Sequence, residues 1–464
     1  MERSPQPGIS SSTPLQSQVE ATAALCALIE LPALRALRTA LLPAELYLVG
    51  GTVRDAFYGE SGTDLDLATN LTTTEIKARC VKHNIRTVDT GIQHGTILLV
   101  IDQVHIEVTT FRVPSGRAGH TTAHDIATDL CGRDFTINAI AFDLSTKTLV
   151  DPLHGVADLA SKTLRTVGAA TERLTEDPLR ILRMVRFGSA QGREIEAATL
   201  RAATAHVQLL RQVSVERIKS ELDQILLSPF PQAGIACIKE LGALPLTIPE
   251  LIPAIGFEQN RFHIHDVFDH TLWVLERTPV DLILRWAAVF HDIGKPHTLS
   301  VDEDGSRHFY QHEIVSERLA RERMQQLRFS RDDTETIALL VRHHMRPLDC
   351  GAPGVRRLIR DLGESLVRWR SFKEADASPA IPEAEFRPTA NAFDALLQSE
   401  QTRMRGPSYG KLAISGTDLI ALGMQPGPAM GVLLKELEEL VLDDPARNDL
   451  GILLVEAKKR VPHQ

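Results

Sequence analysis

The chain has 464 residues, with 51 basic against 60 acidic side chains and a formal charge of −9. Hydrophobic residues make up 43% and charged residues 24%, the balance of a soluble globular chain longer than one core usually supports. No apolar run nears the ~20 residues that span a bilayer, and the five cysteines form no CxxC pair, so a membrane protein, a secreted disulfide scaffold and a basic architectural protein are excluded. Scattered reduced thiols point to the cytoplasm.

Residues 1–19 read as a polar, poorly ordered arm rather than a signal peptide. Strand signals then concentrate before residue 150. They comprise Glu45–Val49 ending in Gly50-Gly51, the alternating run Thr63–Ala68, and Gly95–Ile101 and Val104–Phe111 joined at Asp102-Gln103 as a tight hairpin. Pro114–Asp125 is polar, contains Gly and is expected to be a mobile loop. Beyond 151 the periodicity is helical, over Pro178–Ala190, Glu216–Leu227, Val267–Arg277, Asp281–Phe290, Glu313–Leu327, Thr334–Arg342 and Met430–Leu442. Proline clusters at 229–231, 245–253, 379–388 and 426–428 mark the expected breaks. The expected class is α+β, a head with a small mixed sheet followed by helical segments.

Chemistry enters at the first strand. An apolar strand running into Gly50-Gly51 and a helix start lets backbone N–H groups approach an anion, with Arg54 adding charge. Asp64 and Asp66 stand at i and i+2 of a strand, so both carboxylates project from one face and can meet one divalent cation such as Mg²⁺. Glu107 alternates on the hairpin and supplies a third carboxylate if the sheet order brings it near. Arg133 and Asp134 offer a phosphate donor and a ribose acceptor, and Glu176-Asp177-Pro178-Leu179-Arg180 opens a helix.

The ordered set LVGGTVRD (48–55), DLDLATN (64–70), EVTTFR (107–112), RDFTINAIAFD (133–143), DPLHGVADL (151–159) and EDPLRILRMVRF (176–187) resembles bacterial tRNA nucleotidyltransferases, and more broadly the class II CCA-adding enzyme and poly(A) polymerase family. VSVERIKSEL (213–222) is similar to the element that supports the family's nucleotide pocket, and residues 414–448 are similar to its tail. The resemblance implies metal-assisted addition of C and A to the tRNA 3′ end from CTP and ATP. Asp64, Asp66 and Glu107 would be catalytic, the two aspartates holding Mg²⁺. Gly50, Gly51, Arg54, Arg133, Asp134, Asn138, Asp177, Arg180, Arg183 and Arg186 would bind the nucleotide, with Asp177 and Arg180 reading its base. Two departures stand out. Gly132 replaces the first of the family's paired arginines, and Val113–Cys131 is shorter than the corresponding loop and lacks its Arg-Arg-Pro-Asp run. An enzyme adding only CC or only A therefore stays open beside full CCA addition.

A second constellation spans residues 270–376. His291-Asp292 closes an apolar helix and precedes Gly294-Lys295, with His270, His312, His343, His344 and Asp376 around it. Imidazoles and carboxylates from several helices suit a transition-metal site in which an aspartate bridges two ions. The stretch resembles an HD-superfamily phosphohydrolase domain through HTLWVLERT (270–278), FHDIGKPHT (290–298), FYQHE (309–313), LLVRHH (339–344) and EADAS (374–378), with Gln311 where glycine is usual. That resemblance implies His270, His291, Asp292 and Asp376 as metal ligands, His312 and His343 as candidates for a second ion, and His344 as the alternate to His343. It also implies hydrolysis of phosphate esters on RNA ends or nucleotides. A phosphohydrolase with an RNA-binding head is the rival reading from another class.

The expected order is a head at 20–150, a helical neck at 151–232 carrying the base-reading motif, a helical HD-containing body at 233–378 and a helical tail at 379–464. The arginine-rich stretch Arg356–Lys373 is a candidate grip for tRNA phosphates.

Overall fold

A computed structural model describes residues 15–60, 64–91, 95–112, 123, 125–259, 265–377, 381–404 and 411–460. The chain folds as two compact units, residues 1–249 and 250–464. Most of the expected loop at 114–125 lies outside the described residues.

The first unit carries a mixed sheet of seven strands: β1 (Leu46–Val49), β2 (Asp64–Thr69), β3 (Arg86–Gly91), β4 (Thr96–Ile101), β5 (Val104–Thr110), β6 (Ala141–Asp143) and β7 (Leu149–Val150). Their spatial order is β3-β4-β5-β2-β1-β6-β7. The β4–β5 hairpin turns at Asp102 and Gln103, both at positive φ (48° and 66°), which matches the right-handed twist of its strands. β2 and β5 pair in parallel, with Asp66 opposite Glu107. Leu65, Leu67, Ile106 and Val108 are buried on the packed face of this pair, while Asp66 is half-buried and Glu107 exposed. Strand alternation thus sends apolar residues to the core and carboxylates to the opposite face.

Helix Arg180–Gln191 buries Ile181, Leu182, Met184, Val185 and Phe187 and stops at Gly192, which takes the left-handed conformation (φ 59°). Arg180, Arg183 and Arg186, spaced by three, share its partly exposed face. Helix Val215–Leu227 packs beside it.

In the second unit, helices Val267–Arg277, Leu282–Phe290, His312–Gln326, Arg331–His343 and Leu366–Ala375 surround one polar centre. The helix Glu383–Met404 corrects one expectation, because Pro388 lies inside it rather than at a break. The arginine-rich stretch is also spent internally. Arg356 is buried and donates to Glu400 and to the carbonyls of Leu442 and Asp443, satisfying the end of helix Pro428–Asp443. Arg357 pairs with Glu439 and Asp443, Arg368 with Asp281, and Arg370 with Asp394. These side chains hold helices together, which removes them as a ready-made phosphate grip. No described helix is long and apolar enough to cross a membrane.

Candidate active site and metal centre

β1 delivers the chain to Gly50 at φ 60°, a conformation that favours glycine, and a Cβ there would stand 3.0 Å from an Arg133 guanidinium nitrogen. The Gly51 N–H bonds the Asp66 carboxylate, and the Thr52 hydroxyl accepts from the Asp66 N–H at 2.8 Å. Burial pushes the Asp66 carboxyl above its ordinary value, against the pull of Arg133, the Gly51 N–H and Arg54. A carboxylate under that strain fits a site built to hold a divalent cation. Asp64 opens β2, and its side chain lies outside the described residues.

These groups line a cavity of about 670 Å³. All ten expected nucleotide-binding residues border it: Gly50, Gly51, Arg54, Arg133, Asp134, Asn138, Asp177, Arg180, Arg183 and Arg186, together with Asp66. Glu107 does not line it, although the β2–β5 register sets it beside Asp66. At its centre, Asp134 accepts from the Phe135 N–H (2.8 Å), Asn138 (3.0 Å) and Arg183 (2.8 Å). Burial opposes ionisation of Asp134, but Arg183 and Asn138 outweigh it and hold the carboxyl low. Asn138 in turn accepts from Arg54 at 2.8 Å. Arg186 and Arg183 are braced from behind by Glu221, and Arg54, Arg183 and Arg186 all lie over the Phe187 ring at 4.3–5.4 Å.

The lining contains residues that motif reading missed. Arg217 donates to Asp177 at 2.8 Å, and Asp177 also accepts from the Leu179 N–H. Arg180 is held by Glu176, which also pairs with Arg173. Arg173 spans to the carbonyls of Cys131 and Gly132, so a guanidinium from another element contacts the backbone where the family has its first arginine. Arg217 lies within the VSVERIKSEL segment, which was the available signal. Altogether eight arginines face five carboxylates around the cavity, an excess of three positive charges suited to a polyanion.

The second unit gathers His270, His291 and Asp376 as one candidate ligand group and Asp292, His312 and His344 as another. Asp292 stands between them. One of its oxygens lies 3.2 Å from His291 and 3.6 Å from His270, the other 3.2 Å from His312 and 3.4 Å from His344. His343 is not part of either group. Adjacent residues at a helix end point in different directions, and it is His344 that turns inward while His343 stays half-buried outside.

Three of the imidazoles are oriented by one device. The Nδ1 of His291, His312 and His344 bonds the carbonyl three residues earlier, on Ala288, Phe309 and Val341, at 2.7–2.8 Å. A carbonyl only accepts, so each Nδ1 carries a proton and each Nε2 is left facing inward, those of His312 and His344 3.2 Å apart. The fully buried His291 Nε2 lies 3.2 Å from the Asp292 carboxylate and makes no well-aligned hydrogen bond to any described group, a placement that suits a ligand atom. Burial opposes ionisation of Asp292, yet His291 and Lys295 outweigh it and keep the carboxyl well below its ordinary range. Gly294 is required nearby, because a Cβ would come within 2.3 Å of the His312 carbonyl.

Residues 46–165 match the Poly A polymerase head domain, residues 192–255 the probable RNA and SrmB-binding site of polymerase A, and residues 264–382 the HD domain. The chain is 32% identical over 416 residues to the A-adding tRNA nucleotidyltransferase of Deinococcus radiodurans, covering 86% of this chain and 91% of that protein. It is 30% identical to the CCA-adding enzyme of Streptococcus sanguinis, covering 89% and 94%. The crystal structure of the Bacillus stearothermophilus CCA-adding enzyme in complex with CTP shares the fold, with a TM-score of 0.71 at 23% identity, over 95% of this chain and 97% of that one. The chain therefore belongs to the tRNA nucleotidyltransferase and poly(A) polymerase family, with an HD domain in its second half.

Proposed function

We propose that this chain adds C and A to the 3′ end of tRNA without a nucleic-acid template, using CTP and ATP, in the cytoplasm. The observation that carries the reading is one cavity that joins the Gly50-Gly51 turn, Asp66 and the Asp177–Arg180 element under an excess of positive charge. Arg54 and Arg133 bind the triphosphate, and Asp134 with Asn138 orients the ribose side. Cytosine and adenine each pair an exocyclic amine with an unprotonated ring nitrogen. Asp177 accepts from the amine and Arg180 donates to the nitrogen. Uracil and guanine reverse that pattern and leave buried groups unpaired, at about 1–3 kcal/mol each. Asp64 and Asp66 would hold Mg²⁺, with Glu107 as a third carboxylate beside them. When bound, the ion supplies charge neutralisation and acidifies the attacking 3′-hydroxyl.

The test is extension of tRNA lacking CCA, with CTP and ATP given separately and together, resolved at single-nucleotide length beside Asp66→Ala. Three added nucleotides, lost in the variant, is the expected result, and no extension by wild type sinks the reading. A second reading, addition of A alone to CC-ended tRNA, is favoured by the 32% identity to an A-adding relative, and the same gel separates the two.

For the HD centre we propose metal-dependent hydrolysis of phosphate esters. His270, His291 and Asp376 would hold one transition-metal ion, His312 and His344 a second, and Asp292 would serve both. Lys295, 2.7 Å from Asp292, balances its charge. Such ions, once bound, activate water near neutral pH and polarise a phosphoryl oxygen.

A further inference from the structure

Helix Ala170–Glu176 buries an arginine, Arg173, which is 8% exposed. Its Nε donates to the Val167 carbonyl at 3.1 Å, and one terminal nitrogen donates to the Cys131 carbonyl at 2.7 Å. The other terminal nitrogen is shared between the Gly132 carbonyl (3.3 Å) and the Glu176 carboxylate (2.8 Å). Three of these four acceptors are backbone, so the guanidinium is a cross-link whose rigid fork fixes where peptide groups lie. Two of those peptide groups immediately precede Arg133 and Asp134. The Glu176 oxygen that receives Arg173 also receives Arg180 at 2.8 Å, and Arg180 donates as well to the Arg173 carbonyl, again at 2.8 Å. A path of three hydrogen bonds therefore runs from the Gly132 carbonyl through Arg173 and Glu176 to Arg180. The junction has separate ties that set its fold. The Val167 N–H bonds the Asp134 carbonyl and the Thr136 N–H bonds the Arg165 carbonyl, each at 3.0 Å, and Asp129 holds Arg133 from its other side at 3.1 Å. What the path adds is a connection between two sets of groups that border the nucleotide cavity.

We propose that Arg173 is a positioning residue that, through Glu176, couples base reading at Arg180 to placement of the triphosphate by Arg133. The proposal rests on the reading of Arg180 as a base-reading group and of Arg133 as a phosphate donor. Without a link, base and triphosphate bind as independent ends, and a wrong base forfeits only its own contacts. With the link, a base that does not engage Arg180 lets Glu176 and Arg173 shift, and the peptide before Arg133 shifts with them. A wrong base then also misplaces the reacting phosphate, and a displacement of about 1 Å there costs about a hundredfold in rate. Discrimination thus exceeds what the contacts to the base supply, and the excess falls on kcat rather than on KM.

The test is a double-mutant cycle on Arg133→Ala and Arg180→Ala, read as kcat/KM for CTP with full-length protein and tRNA lacking CCA. In the wild-type background the double variant should lose at least about fivefold less than the product of the two single losses. In the Arg173→Lys background, and separately in Glu176→Ala, the losses should multiply to within about twofold. Glu176→Gln keeps an acceptor oxygen and should retain part of the coupling. Glu176 is 30% exposed, so its variants read the path even where Arg173→Lys lowers stability. Arg173→Lys alone should lower kcat for CTP about tenfold or more with little change in KM. Losses that multiply in wild type, a coupling that survives both Arg173→Lys and Glu176→Ala, or a rise in KM alone overturns the proposal. Failure of the underlying reading is distinct: an Arg180→Ala variant that keeps the wild-type preference for CTP over UTP overturns base reading at Arg180, and the coupling with it.

Discussion

Arg217→Ala isolates how the base-reading carboxylate is aimed. Arg217 meets Asp177 at 2.8 Å, with the two side chains 52% and 32% exposed. An ion pair that open contributes at most about 1 kcal/mol to folding, so the urea midpoint should barely move. Its effect on the site is larger, because the Leu179 N–H (3.2 Å) is the remaining hydrogen bond to the Asp177 carboxylate among the described residues. Losing a charge-assisted hydrogen bond that orients a reading group costs about 1.5–3 kcal/mol, or ten- to a hundredfold in kcat/KM for CTP and ATP. The small rate with UTP does not use that carboxylate productively and should stay constant, so selectivity falls by the same factor. Single-nucleotide extension with each triphosphate measures both quantities, and Arg217→Lys should recover part of the loss. A variant that loses CTP and UTP activity in equal proportion, or unfolds at markedly lower urea, would show that Arg217 supports the helix rather than the base.

Asp134→Ala removes the nearer of Arg183's two carboxylate partners, leaving Glu221 at 3.6 Å, and should cost about 2 kcal/mol, less than breaking a fully buried pair since Arg183 is one-third exposed. Because the Asp134 carboxyl is held low, its stabilisation is complete above the ordinary carboxylate range near 4 and fades as pH falls through its lower folded value; the gap between wild type and Asp134→Asn in urea midpoint should close accordingly. Asp66 carries the opposite sign: with a raised folded value its ionisation lowers stability as pH rises, so Asp66→Asn in EDTA at neutral pH should unfold at higher urea than wild type while losing at least about a thousandfold in transfer rate. In the HD centre, His344→Ala should lower bound metal measured by mass spectrometry, whereas His343→Ala should not, and the reverse pattern would refute the ligand geometry. Gly294→Ala should also lower metal content, since its Cβ would displace the His312 backbone.

Much of this was legible in the sequence where local chemistry is periodic. The alternation read over Thr63–Ala68 found the strand that runs Asp64–Thr69, and the turn at Asp102-Gln103 identified the hairpin. β3, with the sequence RTVDTG, sits at the sheet edge and lacks an apolar stripe, and β6 and β7 are too short for a period to register. The order of strands was not readable, because β2 finds β5 across intervening elements, and only that pairing brings Glu107 beside Asp66. Arginine roles were the least legible. Arg183 and Arg356 look alike in sequence, yet one faces a cavity and the other is consumed by Glu400 and two carbonyls, a difference decided by which helices meet. His343 and His344 were separated by a single step of helical rotation.

With the proposed ions bound, the three imidazoles tied through Nδ1 to backbone carbonyls would let the HD centre trade metal for protons. Protonation at Nε2 leaves each Nδ1–H bond in place, so a ring that loses its ion to acid has no need to rotate. Acid stripping and reloading at neutral pH should then be fast, repeatable and free of refolding, with the departing ion traded for hydrogen ions in a countable ratio.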